Sequence, residues 1–297
     1  MQNDKLRNYF HLHVIVFIWG FTAILGKLIT LDAFRLVWFR MFFATVFLAL
    51  FLLLKKQKIA ISKKTFTGFF ISGVIIALHW LTFFLAIKVS NISITLACLS
   101  TGALFTSFLE PFFYKKKIVI YEVVFGLLAV LGLALIFNVD AKYTYGIIIA
   151  ITSAFLSALF SVINSKYAKE YDAGIISFYE LASGVFFISL WFLFRGEMTL
   201  DFFVISLPNL AWLLLLASVC TAYAFMASVK VMKVLTAFTV MLTINLEPVY
   251  GIILALIIFK DEEEMGGMFY IGATILLSTV IINGIIKNTK KRKVITK

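Results

Sequence analysis

The sequence has few charged residues. Asp, Glu, Lys and Arg make up only 14% of its 297 residues, whereas 62% are hydrophobic. A soluble domain is roughly a quarter charged and about half apolar, and a water-soluble core of this size has no room to hide so many Leu, Ile and Phe side chains. The composition therefore excludes a soluble protein and predicts a polytopic integral membrane protein.

Cysteines and long polar segments are also scarce. The two cysteines, Cys98 and Cys220, fall inside hydrophobic segments. We therefore expect them to behave as small apolar residues and to form no disulfide framework. The longest polar segments, 55–65 and 195–207, are too short to form a soluble domain. No small-residue cleavage pattern follows the first hydrophobic segment, which predicts a retained helix and not a cleaved signal peptide. Function is therefore expected within or across the bilayer.

Long apolar segments fill most of the chain. A helix that crosses a hydrocarbon core of roughly 30 Å needs about 20 such residues, and continuous runs such as 37–54 lack the alternation of a transmembrane β-strand. The sequence thus predicts an all-α integral membrane protein with ten transmembrane helices. The predicted spans are 11–30, 33–54, 66–87, 93–114, 119–138, 144–164, 174–194, 208–229, 235–259 and 266–286.

Lys and Arg lie mainly in alternate loops. Basic loops stay in the cytoplasm, and the clusters at 55–64, at 115–117 and after 287 share one side only if the number of spans is even. Both termini are therefore predicted to be cytoplasmic, with the acidic run Asp261–Glu264 outside. The net charge of +12 is then explained by topology and contact with anionic lipid headgroups, and nucleic-acid binding is not expected.

The two halves of the sequence share short motifs in the same order. Ala86-Ile87-Lys88-Val89 matches Val231-Met232-Lys233-Val234, 145 positions later, and Phe39-Arg40-Met41 corresponds to Tyr179-Glu180-Leu181. Because five helices are an odd number, the second copy of a five-helix unit enters the membrane from the opposite side. The sequence therefore predicts two inverted five-helix repeats, 1–139 and 140–297. Such repeats are typical of transporters that work by alternating access.

Four short segments of the sequence carry a resemblance to a known family. They are Phe17-Ile18-Trp19-Gly20, Ala86-Ile87-Lys88, Thr221-Ala222-Tyr223 and Asn245-Leu246-Glu247-Pro248-Val249. With them the chain resembles the EamA-type members of the drug/metabolite transporter superfamily. The resemblance implies a bacterial inner (plasma) membrane exporter of small metabolites, amino acids or related compounds, often proton-coupled. No cofactor or metal is predicted, and a homodimer is one possible assembly.

The chain departs from the family pattern at one position. Ala103 stands where the first repeat of the family usually has a proline, and Glu110-Pro111 follows eight residues after the expected place. A proline-broken helix in this half is therefore expected at a different depth from that in the second half.

Glu247 is the first candidate site residue. It lies near the middle of the ninth predicted span, and Pro248 after it deprives the Ile244 carbonyl of its helical donor. A charge at the centre of a bilayer costs roughly 2.5–3.5 kcal/mol on insertion scales. Glu247 and Asn245, beside an interrupted helix, are thus candidates for a substrate or proton site. The alternative is that a protonated Glu247 only caps the broken backbone.

Four further titratable residues lie within predicted spans. Glu180 and Arg40 enter from opposite sides and differ in depth by about 10 Å, so each is a candidate for the pathway without an assured ion pair. Arg40 has the alternative of snorkelling outward. Glu110, close to Lys115, is expected to act as a cap or ion-pair partner. His79 suits a proton relay, although a hydrogen bond to a neighbouring helix is favoured.

Aromatic and small residues supply the remaining candidates. Trp19, Trp80, Tyr179 and Tyr223 are candidates for the aromatic wall of a cavity, but with 33 Phe in the chain a packing role is the default for each. A second pattern is a stripe of serines in the sixth predicted span, which favours close packing against a neighbouring helix. Its members are Ser153, Ser157, Ser161 and Ser165.

Two other classes of protein stay open as alternatives. An integral-membrane enzyme would need a catalytic motif, and the sequence has no HExxH, GxSxG or P-loop. The acidic run at 261–264 is compatible with a Mg²⁺-diphosphate site, but it has no second cluster opposite. A membrane protein that transports nothing is the other alternative, and the buried carboxylates argue against it.

Overall fold

The computed structural model describes residues 2–137 and 143–259 and parts of 266–282. Twelve α-helices, a short 3₁₀ helix (Leu200–Phe203) and no strand occur within the first two of these ranges, together with a π-helical turn (Ser218–Tyr223). The helices are α1 (Gln2–Leu28), α2 (Ala33–Leu54), α3 (Lys63–Val89), α4 (Ile92–Leu99), α5 (Gly102–Tyr114), α6 (Ile120–Phe137), α7 (Thr144–Tyr167), α8 (Ala173–Phe194), α9 (Leu207–Ala217), α10 (Ala224–Val231), α11 (Ala237–Ile244) and α12 (Glu247–Phe259).

Short polar side chains begin several of these helices. The Asp32 carboxylate accepts hydrogen bonds from two amides of the first turn of α2, Ser62 caps α3, and Asp172 caps α8. Such caps satisfy amide groups that have no partner within the helix. The ends of these helices therefore follow directly from the local sequence.

Eight helical segments are long and apolar enough to cross a membrane. They are Leu6–Leu28, Ala33–Leu54, Lys63–Val89, Ile92–Tyr114, Thr144–Tyr167, Ala173–Phe194, Leu207–Val231 and Ala237–Phe259. Each coincides with a predicted span, and α6 occupies the position of the fifth. The predicted tenth span, 266–286, is described in part, and its described residues are helical apart from Gly266, whereas the acidic run at 261–264 lies outside the described residues. A multi-pass, all-helical membrane architecture is thus confirmed.

Two spans are broken at corresponding positions. The ninth is interrupted at Asn245–Leu246, between α11 and α12, as Pro248 predicts. The fourth is interrupted at Ser100–Thr101, between α4 and α5, 145 positions earlier and without a proline. The Thr101 hydroxyl donates to the Cys98 carbonyl at 2.8 Å, which competes with the regular helical ladder. Pro111 instead lies within α5, so the expected difference in depth is wrong.

Small residues allow the central helices to approach closely. A Cβ atom at Gly73 of α3 would collide with the Glu180 carbonyl of α8, so glycine is needed where these two backbones meet. On α7, the Ser153 hydroxyl contacts α3, Ser161 donates to Met241 of α11, and Ser165 contacts the Tyr114 hydroxyl of α5. The serine stripe therefore packs α7 against three neighbours, in agreement with the packing interpretation.

Candidate functional site

A central cavity lies between the helices of the two halves. Its interior is narrow, with a volume of about 60 Å³ open to the centres of water-sized molecules. Its lining combines charged, hydroxyl and aromatic side chains, which are rare together in a membrane interior. Among them are Trp19, Thr22, Arg40, His79, Trp80, Phe83, Ser157, Phe160, Ser161, Phe225, Ser228 and Glu247.

Arg40 of α2 supplies the positive charge of this cavity. Its side chain is only 2% exposed. The guanidinium carbon lies 4.0 Å from the centre of the Trp80 ring, and Nε donates to the Thr221 hydroxyl at 2.7 Å. These contacts stabilise the buried charge, and Arg40 points into the protein and does not follow the alternative of snorkelling outward. Nη1 has no hydrogen-bond partner and remains available for a ligand.

An irregular turn of the eighth span positions the partners of Arg40. Residues Ser218–Tyr223 form a π-helical turn between α9 and α10, a distortion that is frequent at functional sites. Within it, Thr221 donates to the Leu216 carbonyl at 2.7 Å, and the Cys220 carbonyl accepts from the Trp19 indole at 3.1 Å. The sequence analysis missed Thr221 as a site residue, and its only signal was the motif Thr221-Ala222-Tyr223.

Glu247 supplies the negative charge. It is the first residue of α12, directly after the break in the ninth span, and it lines the same cavity as Arg40. The two side chains form no ion pair, although both belong to the described part of the chain. The cavity therefore presents one buried cation and one buried carboxyl group that do not contact each other as an ion pair.

Asn245 and His79 are placed differently from Glu247. The Asn245 side chain, next to the helix break, lines a separate small cavity together with Ser100 at the other helix break. His79 Nδ1 lies 2.9 Å from both the carbonyl and the hydroxyl of Ser153. His79 thus makes the interhelical hydrogen bond that the sequence favoured, while its ring also lines the central cavity.

The other candidates lie away from the central cavity. The Tyr179 hydroxyl donates to the Ile59 carbonyl at 2.9 Å, and the Tyr223 hydroxyl contacts His11 Nε2 at 3.0 Å. Neither tyrosine lines the cavity, and of the four predicted wall residues only Trp19 and Trp80 do so. Glu180 is fully buried elsewhere, next to Asn164.

Glu110 has the structural role expected for it. Its carboxylate accepts from the Phe238 amide at 2.9 Å, at the start of α11. It also lies 4.0 Å from the ammonium group of Lys116. Glu110 is thus both a cap of a neighbouring helix and a weak ion-pair partner at the edge of the bundle.

Comparison with known proteins gives both a family and a fold. The sequence matches the EamA-like transporter family twice, over residues 8–138 and 144–285. A search of curated proteins found no match. A solved structure, described as the crystal structure of a protein, superposes with a TM-score of 0.70, covering 93% of this chain and 96% of that chain. The two sequences are only 12% identical, so this likeness shows the fold alone.

Proposed function

Because the chain belongs to the EamA-like transporter family, we propose that it is a secondary transporter that exports small metabolites by alternating access. One observation carries this proposal above the others. Arg40, from the first half of the chain, and Glu247, from the second, line a single cavity without forming an ion pair. Such a pair of buried, unpaired charges is costly in a membrane interior, and a polar ligand that contacts both would offset that cost.

The chemistry of the cavity favours amino acids or related compounds as substrates. A guanidinium group with an unpartnered nitrogen suits a carboxylate. The Glu247 carboxylate suits an ammonium group, and Trp80, Phe160 and Phe225 provide an apolar surface for a side chain. A zwitterion would therefore satisfy both charges, whereas a neutral apolar compound would leave both unpartnered.

The contacts between helices support two repeats, 1–139 and 140–297, with inverted topology. A pseudo-two-fold axis exchanges the first span with the sixth and the third with the eighth. In the structure α3 packs on α7 and α1 packs on α10, which are contacts that such an axis interchanges. Trp80 and Phe225, 145 positions apart, meet with their ring centres 5.6 Å apart. An axis between these two rings would make the inward-open and outward-open states two packings of similar energy.

Proton coupling fits the position of Glu247. This carboxyl group lies at a helix break, where the backbone is less constrained than in a continuous helix, and it faces the cavity. Protonation would remove the negative charge opposite Arg40 and thereby change which state of the cavity is favoured. We therefore assign Glu247 as the site where a proton and a substrate ammonium group compete.

The proposed location is the bacterial inner membrane, with both termini in the cytoplasm. Reporter fusions at Lys58 and Lys116 are expected to read cytoplasmic, and fusions at Asp140 and Glu263 external, because basic loops stay inside. Alkaline phosphatase and a fluorescent protein, fused in turn at each site, give opposite signals and control for expression. A cytoplasmic reading at Asp140 and Glu263 would rule out ten spans.

Untargeted metabolite analysis of cells and medium tests the proposed function. Cells that express the wild-type protein are expected to accumulate one class of zwitterionic compound in the medium, relative to cells that express Arg40→Ala at equal membrane levels. Arg40→Ala removes the ligand-binding cation without changing the topology. An integral-membrane enzyme would instead change the chemical identity of metabolites inside the cells. Identical media for wild type and variant would contradict export.

A further inference from the structure

A second polar cluster lies outside the central cavity, around Glu180 of α8. The Glu180 side chain is fully buried, and its Oε2 accepts from the Asn164 amide of α7 at 3.1 Å. Its other oxygen, Oε1, has no hydrogen-bond partner. No Lys or Arg forms an ion pair with it among the described residues. Within the described part of the chain, the charge of this carboxylate therefore has no counterion.

Three neighbouring side chains add further oxygens that lack a regular hydrogen bond. Asn164 Oδ1 and Ser177 Oγ are buried and make no hydrogen bond, and Ser72 Oγ, which makes no hydrogen bond of regular geometry, lies close enough to Glu180 to interact with its carboxyl group. Ser72 is next to Gly73, at the point where the backbone of α3 touches the Glu180 carbonyl, and Ser177 lies one turn before Glu180 on the same helix. Three helices thus bring four oxygen atoms without a regular hydrogen bond to one buried region.

A bound cation explains this arrangement better than a proton does. An isolated buried carboxylate is costly, so it must be neutralised. A proton on Glu180 would donate a single hydrogen bond, and the two serine hydroxyls, although they can donate as well, have no partner of regular geometry where they lie in the structure. A hard cation instead takes several oxygen ligands from carboxylate, amide and hydroxyl groups at once. With a single carboxylate present, charge balance favours a monovalent ion over Ca²⁺ or Mg²⁺.

We propose that Glu180, Asn164, Ser72 and Ser177 form a binding site for a sodium ion. The ion supplies the positive charge that the protein lacks at this place and connects α3, α7 and α8. In the repeat alignment Glu180 corresponds to Arg40, so a cation held at Glu180 would place positive charge at equivalent positions in both halves. The proposal concerns ion binding alone and does not depend on which substrate is transported.

Thermal unfolding of the purified full-length protein tests this site. In buffers of constant pH and ionic strength, replacing choline by sodium is expected to raise the Tm of the wild-type protein by about 5 °C, with saturation, because the ion binds only the folded state. Glu180→Gln keeps the hydrogen bond to Asn164 but removes the charge, so its Tm is expected to be independent of sodium. Ser72→Ala should shift the half-maximal sodium concentration upward roughly fivefold.

Glu247→Gln is the matched control, because it removes another buried carboxylate that is not in the cluster. Its sodium response should equal that of the wild type, even though its transport is changed. A wild-type Tm that is the same in sodium and choline would overturn the proposal. So would a sodium response that survives in Glu180→Gln, or a Tm that depends on pH through Glu180 but not on sodium. If Glu180→Gln does not fold, the half-maximal sodium concentration of Ser72→Ala tests the site, and a value equal to that of the wild type would overturn the proposal.

Discussion

Glu247→Gln is expected to abolish transport driven by a pH gradient while exchange of substrate across the membrane continues. Gln has the size and shape of Glu and still offers an oxygen to a substrate ammonium group, but it cannot release a proton. In proteoliposomes, uptake under an imposed pH gradient should fall to the level of empty vesicles. Counterflow, which needs only binding and the change of state, should remain measurable.

Glu110→Gln is the control for this variant. Glu110 caps α11 through the Phe238 amide, and the Gln side chain keeps a carbonyl oxygen for that bond. Its pH-driven uptake should therefore stay within about twofold of the wild type, since an exposed ion pair such as Glu110–Lys116 contributes roughly 0–1 kcal/mol. If Glu247→Gln retains full pH-driven uptake, Glu247 is structural and the proton site lies elsewhere.

Arg40→Lys is expected to weaken substrate binding by about 10- to 100-fold, although the positive charge is kept. A charge-assisted hydrogen bond contributes roughly 1.5–3 kcal/mol, and each 1.4 kcal/mol corresponds to a factor of about ten in affinity. Lysine lacks the planar group that lies over Trp80 and cannot both donate to Thr221 and contact a carboxylate in the same fork geometry. The half-saturation concentration for counterflow measures this loss.

Arg195→Lys is the matched control for Arg40→Lys. Arg195 lies at the end of α8, is largely exposed, and pairs with Glu197. The same change of side chain at this position should leave the half-saturation concentration unchanged. Wild-type affinity in Arg40→Lys would show that the guanidinium does not contact the substrate.

Sequence patterns predicted the helices better than the arrangement of the site. Long apolar runs fix the spans because the bilayer demands about 20 apolar residues per helix, and Pro248 predicted the break beside Glu247 because proline lacks an amide donor. The break at Ser100–Thr101 was missed, since there the Thr101 hydroxyl and the Thr101 amide both donate to the Cys98 carbonyl, and threonine is common in regular helices as well.

The partners of the buried charges were also beyond reach of the sequence. The sequence predicted how deep Arg40 lies in the membrane but not where its side chain points. That direction depends on contacts with Trp80 and Thr221, which are distant in sequence. Asn245 and Glu247 are two residues apart, a separation of about 200° around a helix axis, and they face different cavities. Tertiary contacts and local breaks of periodicity, not residue type, decided which candidates meet.

The π-helical turn at Ser218–Tyr223 has a consequence for how the eighth span tolerates changes in length. Such a turn is a continuous α-helix with one residue inserted. Deletion of a single residue there would restore the regular helix and leave the registers of α9 and α10 unchanged, so both would keep their faces toward their present neighbours. The same deletion in a continuous span such as α2 would rotate everything beyond it by about 100°. This short segment is thus a place where the chain can lose a residue and keep its fold, and deletion of Thr221 itself would also remove the hydroxyl partner of Arg40.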